Sequence, residues 1–368
     1  MTGRERLLNS IWNKPVDRRA VSPFIYKNFV KAFFQDPDVD VIQGTIDVYR
    51  HFGFDLMHRN INVRGDDVHV EGPNWRVIVK EQDSRGERVI TTQVETPERI
   101  LTQVKSVKQL TKYHSVSATV EYLIKDRTDF DQFVKYQPPV PKLALDELRR
   151  AKELIGDEGI TAPWISGVFN TLADYRKLDD LLVDALTDPG FFHAMARYFQ
   201  GRLLEYTREI LDEGVDALSY AGNIATGTMV GPHFFQRYIL ELEKEVIDEI
   251  QGKGTAVLYH NCGDARSLFE VYNELGFRAY ESIAEPPYGD STLKDAIERF
   301  AEHITLLGNI DQIDFLRTAT PEEVKEKGEQ ILTLAEKRPS FILGTTDFLE
   351  EGTPHANLFA LSSSVSQN

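Results

Sequence analysis

Short apolar runs rich in β-branched and aromatic residues recur along the chain, and each run ends in polar side chains. Runs of this length, separated by helix-patterned stretches, are typical of a parallel sheet, because parallel strands need crossover connections. The sequence predicts eight strands, at residues 21–26, 55–61, 160–166, 217–223, 255–261, 278–283, 304–310 and 340–346.

Helix signals lie between most of the later runs. Pro232 precedes the amphipathic stretch HFFQRYILELEKEVIDEI. Thr320 and Pro321 start another helix as a cap followed by a first-turn proline. Eight strands alternating with helices predict a closed (β/α)8 TIM barrel, forming one domain over residues 1–368.

Residues 62–98 do not follow this alternation of strand and helix. The stretch alternates polar and apolar residues, and turn residues interrupt it at Gly72-Pro73 and Ser84-Arg85-Gly86. A period of two marks strands rather than helices. We therefore predict an antiparallel β-hairpin inserted after the second strand.

Composition narrows the classes of function. The 368-residue chain is 41% hydrophobic and has a formal net charge of -16, which disfavours nucleic acid or anionic lipid as a main partner. No apolar run approaches the roughly 18 residues of a membrane span, and the N-terminus lacks the apolar core of a signal peptide. Cys262 is the only cysteine, which excludes an intrachain disulfide. These features suit a cytoplasmic protein.

The fifth predicted strand ends in the sequence HNCGD, which contains this cysteine. His260 and Cys262 are two residues apart, so in an extended segment both side chains point to the same side. Imidazole nitrogen and thiolate sulfur are the usual donors to zinc, but a third ligand must come from elsewhere in the chain. The alternative is a packed cysteine beside a hydrogen-bonded histidine. Helix capping or a solvated loop is the better explanation of Asp264, Glu281 or Asp311 when each is taken singly.

Several longer motifs carry a family resemblance. They are RERLLNSIWNKPVDRRAVSPF, AYESIAEPPYGDSTLKDAIERF, ITLLGNIDQIDFLRTATPEEVKEK, GTTDFLEEGTPHANLFAL and the HNCGD sequence. With these motifs the chain resembles the uroporphyrinogen decarboxylase-like superfamily, particularly its cobalamin-dependent methyltransferase branch. The resemblance implies a single (β/α)8 barrel.

The resemblance also implies a zinc site. The methyltransferase branch holds zinc with an HxC pair and a distant cysteine that precedes a threonine-proline, and His260 and Cys262 match the pair. Aligned on Thr353-Pro354, Asp347 takes the place of the distant cysteine. The implied metal ligands are therefore His260, Cys262 and Asp347, with Glu281 as a further donor.

The function implied is transfer of a methyl group between a small methylated ether, amine or thioether and a corrinoid, assisted by zinc. The corrinoid is either free or carried by a separate corrinoid protein, and a homodimer is expected from the resemblance alone. His260 and Glu281 would be catalytic. The expected substrate-binding residues are Trp164, Tyr220, Asn223, Asn309 and Asp264.

Two alternatives stay open at this point. One is a metal-free decarboxylase that binds carboxylates through His58, Arg59 and Arg64. Against it, the region SPFIYKNFVKAF lacks the arginine-rich MRQAGR signature of true uroporphyrinogen decarboxylases. The other is a barrel that has lost catalysis and acts as a binding protein, an idea supported by the missing second cysteine.

Overall fold

A computed structural model describes residues 1–63, 68–84 and 86–365. The chain divides into two compact units. The first consists of Met1–Val63, Leu145–Ser166 and Ile210–Asn368, and the second consists of Arg64–Ala144 and Gly167–Glu209. The prediction of one domain over residues 1–368 stays a prediction.

The first unit contains a ring of parallel strands. One sheet has the strand order β1-β13-β12-β11-β10-β9-β8, and a second sheet consists of β2 and β7. Because β7 and β8 are two halves of one strand, interrupted at residues 162–163, the two sheets are continuous. The bounds are β1 Ala20–Val21, β2 Leu56–His58, β7 Gly159–Thr161, β8 Trp164–Ser166, β9 Ala217–Ala221, β10 Ala256–His260, β11 Ala279–Glu281, β12 Thr305–Ile310 and β13 Phe341–Thr345.

A polar seam joins the first strand to the second and closes this ring. The backbone N–H of Asp55 donates to the carbonyl of Val21 at 2.8 Å, and the N–H of Val21 donates back to the Asp55 carboxylate at 2.8 Å. Arg6 and Arg18 also donate to that carboxylate, at 2.7 and 2.8 Å. All eight predicted strands are thus present, and the predicted barrel is confirmed.

The barrel interior is filled mainly by small and aliphatic side chains. Helix α1, Gly3–Ile11, contributes Leu7 and Ile11 to this cluster. The other members come from the strands around the ring, as expected of a packed barrel interior. The strand members are Ala20, Met57, Ile160, Ala162, Ala217, Ala256, Leu258, Ala279, Leu307 and Ile342.

Helices follow the strands, and several of them begin with a side-chain cap. The predicted start at Thr320 is confirmed, because its side chain accepts from the N–H of Glu323 and Pro321 occupies the first turn. A π-helical turn, Phe235–Ile239, precedes α10. The other helices are α2 Lys27–Phe34, α3 Val41–Phe52, α4 Arg127–Tyr136, α5 Asp146–Ile155, α6 Val168–Tyr175, α7 Leu178–Thr187, α8 Pro189–Asp212, α9 Gly231–Phe234, α10 Leu240–Gly252, α11 Phe269–Leu275, α12 Leu293–Arg299, α13 Phe315–Thr318, α14 Pro321–Leu334 and α15 His355–Ser362. Among the described residues, no helix combines the length and apolarity needed to cross a bilayer.

The second unit contains an antiparallel sheet of four strands in the order β3-β4-β5-β6. Their bounds are Arg76–Ser84, Glu87–Glu95, Ile100–Gln109 and Ser115–Glu121. The predicted hairpin corresponds to β3 and β4, but the sheet continues beyond residue 98, because ILTQVKSVKQ and SVSATVE also alternate. Residues 64–67 and 85 of the predicted insertion lie outside the described residues.

Candidate metal-binding site

Strand alternation directs a second layer of side chains into the barrel mouth. Leu258 and Ala279 belong to the interior cluster, so His260 and Glu281, two residues further along β10 and β11, point inward as well. His260 and Glu281 are direct partners in the register of these parallel strands. The backbone therefore fixes the two side chains beside each other.

Three potential metal ligands converge at this end of the barrel. Their donor atoms, from His260, Cys262 and Asp347, lie within 4.8 Å of one another, and no second group of this kind occurs in the described residues. Donors around tetrahedral zinc are about 3.3–3.8 Å apart at bond lengths of about 2.0–2.3 Å, so small side-chain rotations would close the site. The residues present therefore fit a zinc ion, although Asp347 supplies oxygen where the family pattern has sulfur.

The loops that carry the two half-buried ligands are anchored by hydrogen bonds. The hydroxyl of Tyr280 donates to the carbonyl of Asn261 at 3.1 Å, and the Asn261 amide donates to the hydroxyl of Tyr272 at 2.7 Å. On the other side, the N–H of Asp347 donates to Gln312 at 3.2 Å. Hydrogen bonds to buried polar side chains thus hold both the loop that carries Cys262 and the loop that carries Asp347.

Glu281 bridges His260 and an arginine from the opposite side of the ring. Arg59, which follows β2, contacts the two Glu281 oxygens at 2.5 and 2.6 Å, and Nδ1 of His260 lies 3.1 Å from Oε2. The Arg59 and Glu281 side chains are each only 1% exposed. The three residues therefore form a buried chain of charge and hydrogen bonds that ends at a candidate metal ligand.

The electrostatics of this chain favour a cation at His260. Burial alone would raise the pKa of Glu281, but the charge of Arg59 and the contact with His260 lower that pKa to about 2. Burial would lower the pKa of His260, but Cys262, Glu281 and Asp347 together raise it well above its usual value. Anionic groups thus converge on the imidazole, which either a proton or a metal ion would neutralise.

Aromatic rings border His260 and the ligand loop that follows β13. The Trp164 ring lies 5.3 Å from the His260 ring in an edge-on arrangement, and the Phe24 ring lies 5.5 Å from Trp164. Phe348, directly after Asp347, packs 6.1 Å from Phe24. Trp164, which is expected from the sequence to bind substrate, thus lies beside His260, whereas Phe24, Phe348 and the contact of Arg59 with Glu281 were missed.

Two further residues expected to bind substrate, Tyr220 and Asn223, lie on β9 and in the turn that follows it. Tyr220 is fully buried, and its hydroxyl donates to the carboxylate of Glu243 in α10. Ala217 on the same strand belongs to the interior cluster. Tyr220 is three residues further along, and residues an odd number of positions apart point to opposite faces of a strand, so Tyr220 faces the helices. Asn223 is exposed in the turn after the same strand.

Asp264 and Asn309 lie near strand ends but have other partners. Asp264 accepts from the hydroxyl of Thr228, which ties the loop after β10 to the loop after β9. The Asn309 amide donates to Glu285 at 3.0 Å. Asn309 lines a cavity of about 170 Å³ whose lining includes none of the three candidate ligands.

Residues 102–367 match the uroporphyrinogen decarboxylase (URO-D) family. The chain belongs to the uroporphyrinogen decarboxylase family. The match covers strands β7 to β13, so it includes His260, Cys262, Glu281 and Asp347. Arg59 precedes the matched residues.

This URO-D family member is similar to methyltransferases of Methanosarcina species. A methylcobamide:CoM methyltransferase, MtbA, of Methanosarcina acetivorans is 20% identical over 217 residues, or 58% of this chain and 62% of that protein. A methylated-thiol--coenzyme M methyltransferase of Methanosarcina mazei is 22% identical over 60% of this chain and 56% of its own length. The matches thus span less than two thirds of these relatives. A methyltransferase from Methanosarcina mazei of known structure aligns over 99% of this chain and 98% of its own with a TM-score of 0.70 at 12% identity, which reflects the shared fold.

Proposed function

We propose that this protein is a zinc-assisted methyltransferase that moves a methyl group between a small methylated substrate and a corrinoid. The observation that carries the proposal is the convergence of one nitrogen, one sulfur and one oxygen donor within 4.8 Å at the barrel mouth. His260, Cys262 and Asp347 would hold the metal. When bound, zinc would supply Lewis acidity at the heteroatom that carries the methyl group.

The other side chains of the site would bind and orient the substrate. The half-buried Trp164 and Phe348 would cover its apolar part, because their rings border the candidate ligands. Glu281 would fix the His260 ring through the hydrogen bond to Nδ1. Excluding water around these groups strengthens every electrostatic interaction inside the site.

Asp347 narrows the expected substrates. A carboxylate oxygen in place of a thiolate keeps the charge of the donor set but makes it harder. A harder set favours an oxygen or nitrogen atom of the substrate over sulfur. We therefore expect methyl ethers and methylamines ahead of thioethers as methyl donors.

The relatives support the corrinoid as second reactant. MtbA is named for methyl transfer between a methylcobamide and coenzyme M, and the corrinoid here would be free or carried by a corrinoid protein. A homodimer and a cytoplasmic location are further parts of the proposal.

The decarboxylase alternative has weaker support. His58 is fully buried, and burial lowers its pKa to about 3, so this imidazole is neutral at pH 7. Arg59 is already paired with Glu281, and Arg64 lies outside the described residues. Neither described group is free to bind a substrate carboxylate.

Metal content tests the proposal directly. We expect about one zinc per chain in the wild type and in the control Asp264→Ala, which removes a nearby carboxylate outside the ligand set. His260→Ala and Asp347→Ala should each lose the metal. Zinc retained in Asp347→Ala would reject this ligand set, and a wild type that takes up no zinc would reject the zinc mechanism.

Turnover tests the reaction itself. The wild type should demethylate a methylamine or methyl ether in the presence of cob(I)alamin, monitored by the visible absorbance of the corrinoid. His260→Ala should be inactive while Asp264→Ala keeps a measurable rate. Release of carbon dioxide from uroporphyrinogen by the metal-free protein would instead favour the decarboxylase.

A further inference from the structure

We propose that Arg59 is a positioning residue for the metal site, because it holds Glu281 against Nδ1 of His260 and so presents Nε2 to the metal. The inference rests on the zinc site of the proposed function and deepens it. Arg59 is not one of the candidate ligands, and it acts through Glu281 alone.

The backbone and one hydrogen bond define the orientation of the imidazole. His260 and Glu281 are register partners on β10 and β11, and Nδ1 of His260 lies 3.1 Å from Oε2 of Glu281. An ionised carboxylate can only accept, so Nδ1 carries the proton. The ring nitrogen left for a metal is Nε2, which is the arrangement in carboxylate–histidine–zinc chains.

Glu281 needs the charge of Arg59 to stay ionised and accept the hydrogen bond from Nδ1 of His260. A carboxylate that is 1% exposed has no water to stabilise its charge, and Arg59 contacts both of its oxygens at 2.5 and 2.6 Å. The arginine comes from β2, opposite β11 in the ring of eight strands. The ion pair therefore crosses the barrel, and Oε2 of Glu281 accepts from both Arg59 and His260.

Two aromatic rings hold Arg59 in turn. Its guanidinium lies 4.7 Å from the centre of the Phe24 ring and 5.9 Å from that of Trp164. Nη1 of Arg59 donates to Oε2 of Glu281 at 2.6 Å, and Nη2 donates to the sulfur of Met57 at 2.9 Å. A planar guanidinium can stack on such rings while donating from two nitrogens in its plane, which the ammonium of lysine cannot reproduce. The same two rings border His260, at 6.4 and 5.3 Å between ring centres. One rigid set of contacts thus positions both Arg59 and the imidazole.

The pair is poorly explained as a device for stability alone. Nε of Arg59 is buried without a hydrogen-bond partner, which is unfavourable. Buried ion pairs are often no more stable than apolar residues of similar volume. The Arg59–Glu281 pair lies beside the candidate ligand His260 despite this unfavourable burial, which supports a role in positioning His260.

Zinc affinity separates positioning from folding. Zinc-free wild type, Arg59→Met, Arg59→Lys, Glu281→Gln and the double variant Arg59→Met/Glu281→Gln would be titrated with zinc against a chromophoric chelator. The double variant removes both buried charges, so it remains informative if a single variant fails to fold. Arg176→Met is the matched control, because Arg176 forms a buried pair with Asp184 in the other unit.

We expect Arg59→Met, Glu281→Gln and the double variant each to bind zinc about 10- to 100-fold more weakly than wild type. The losses of zinc affinity in the two single variants should not add in the double variant, since all three variants interrupt the same Arg59–Glu281–His260 contacts. Arg59→Lys should recover part of the affinity, and Arg176→Met should bind like wild type. Wild-type affinity in the double variant, or an equal loss in Arg176→Met, would overturn the role of Arg59. A wild type that binds no zinc would instead overturn the proposed function, and the inference with it.

Discussion

The buried Glu281 should make folding stability fall on acidification. Its pKa is lowered from an ordinary 4.5 to about 2 in the folded protein, because Arg59 and His260 outweigh its burial. A carboxylate with a lowered pKa stabilises the folded state above its unfolded pKa, and this contribution is lost as pH falls through the folded pKa. The relevant window therefore runs from about pH 4.5 down to about pH 2.

The size of the effect follows from the pKa difference. At 1.36 kcal/mol per pKa unit, ionised Glu281 stabilises the folded protein at neutral pH by about 3 kcal/mol relative to protonated Glu281. Glu281→Gln should remove this pH dependence. It should also lower stability at pH 7, since Arg59 is left buried without an anion.

Urea unfolding at pH 7, 5 and 3 tests the prediction, because it gives the free energy of unfolding of wild type and Glu281→Gln at each pH. The stability gap between wild type and Glu281→Gln should shrink by about 2 kcal/mol between pH 5 and pH 3. Glu98→Gln is a control, because the pKa of Glu98 is also lowered to about 2, mainly by Tyr136, but this carboxylate is exposed to solvent. A gap that stays constant with pH, or an equal change in Glu98→Gln, would refute the reasoning.

Three further predictions concern the fold and the ligand set. Arg338→Met removes a buried guanidinium that donates to carbonyls after α12 at 2.9, 2.8 and 2.7 Å, so urea unfolding should show a loss of about 3 kcal/mol with unchanged zinc content. Asp347→Cys softens the donor set and should raise the preference for cadmium over zinc about tenfold in a competition titration, whereas an unchanged preference would contradict a ligand role. In Gly222→Ala, the new Cβ would lie 2.2 Å from the hydroxyl of Tyr259, and thermal unfolding should report a loss of about 1–3 kcal/mol. Gly201→Ala in α8, with no heavy atom within 4 Å, should instead be neutral or stabilising, and equal losses in both variants would exclude a packing cause.

The eight barrel strands could be predicted because each apolar run is short and ends in polar residues. The same rule located His260 and Glu281, which follow the interior residues Leu258 and Ala279 by two positions. It could not assign the direction of Tyr220. Both faces of a parallel strand are buried, so the apolar run ALSYA has no visible alternation from which inward and outward positions could be told apart.

The role of Arg59 could not be predicted, because it depends on the order of strands around the ring. Arg59 and Glu281 are 222 residues apart in sequence and meet only because β2 and β11 are on opposite sides. The extent of the inserted sheet was missed for a different reason. In β5, polar residues such as Lys105 and Lys108 stand between the apolar ones without a strict period of two, so the alternation is weak there.

The polar seam at Asp55 has a consequence for how the barrel opens. Between β1 and β2 the described backbone pairing is a single N–H to carbonyl bond, whereas β12 and β13 pair along five register positions. Amide exchange should therefore begin at this seam, since it has few backbone bonds to break. Phe24 and Arg59 follow the two strands that the seam joins, while His260 and Glu281 lie on continuously paired strands. Local opening between β1 and β2 would thus first weaken the contacts of Phe24 and Arg59 around the His260 imidazole. The backbone that carries His260 would stay in place.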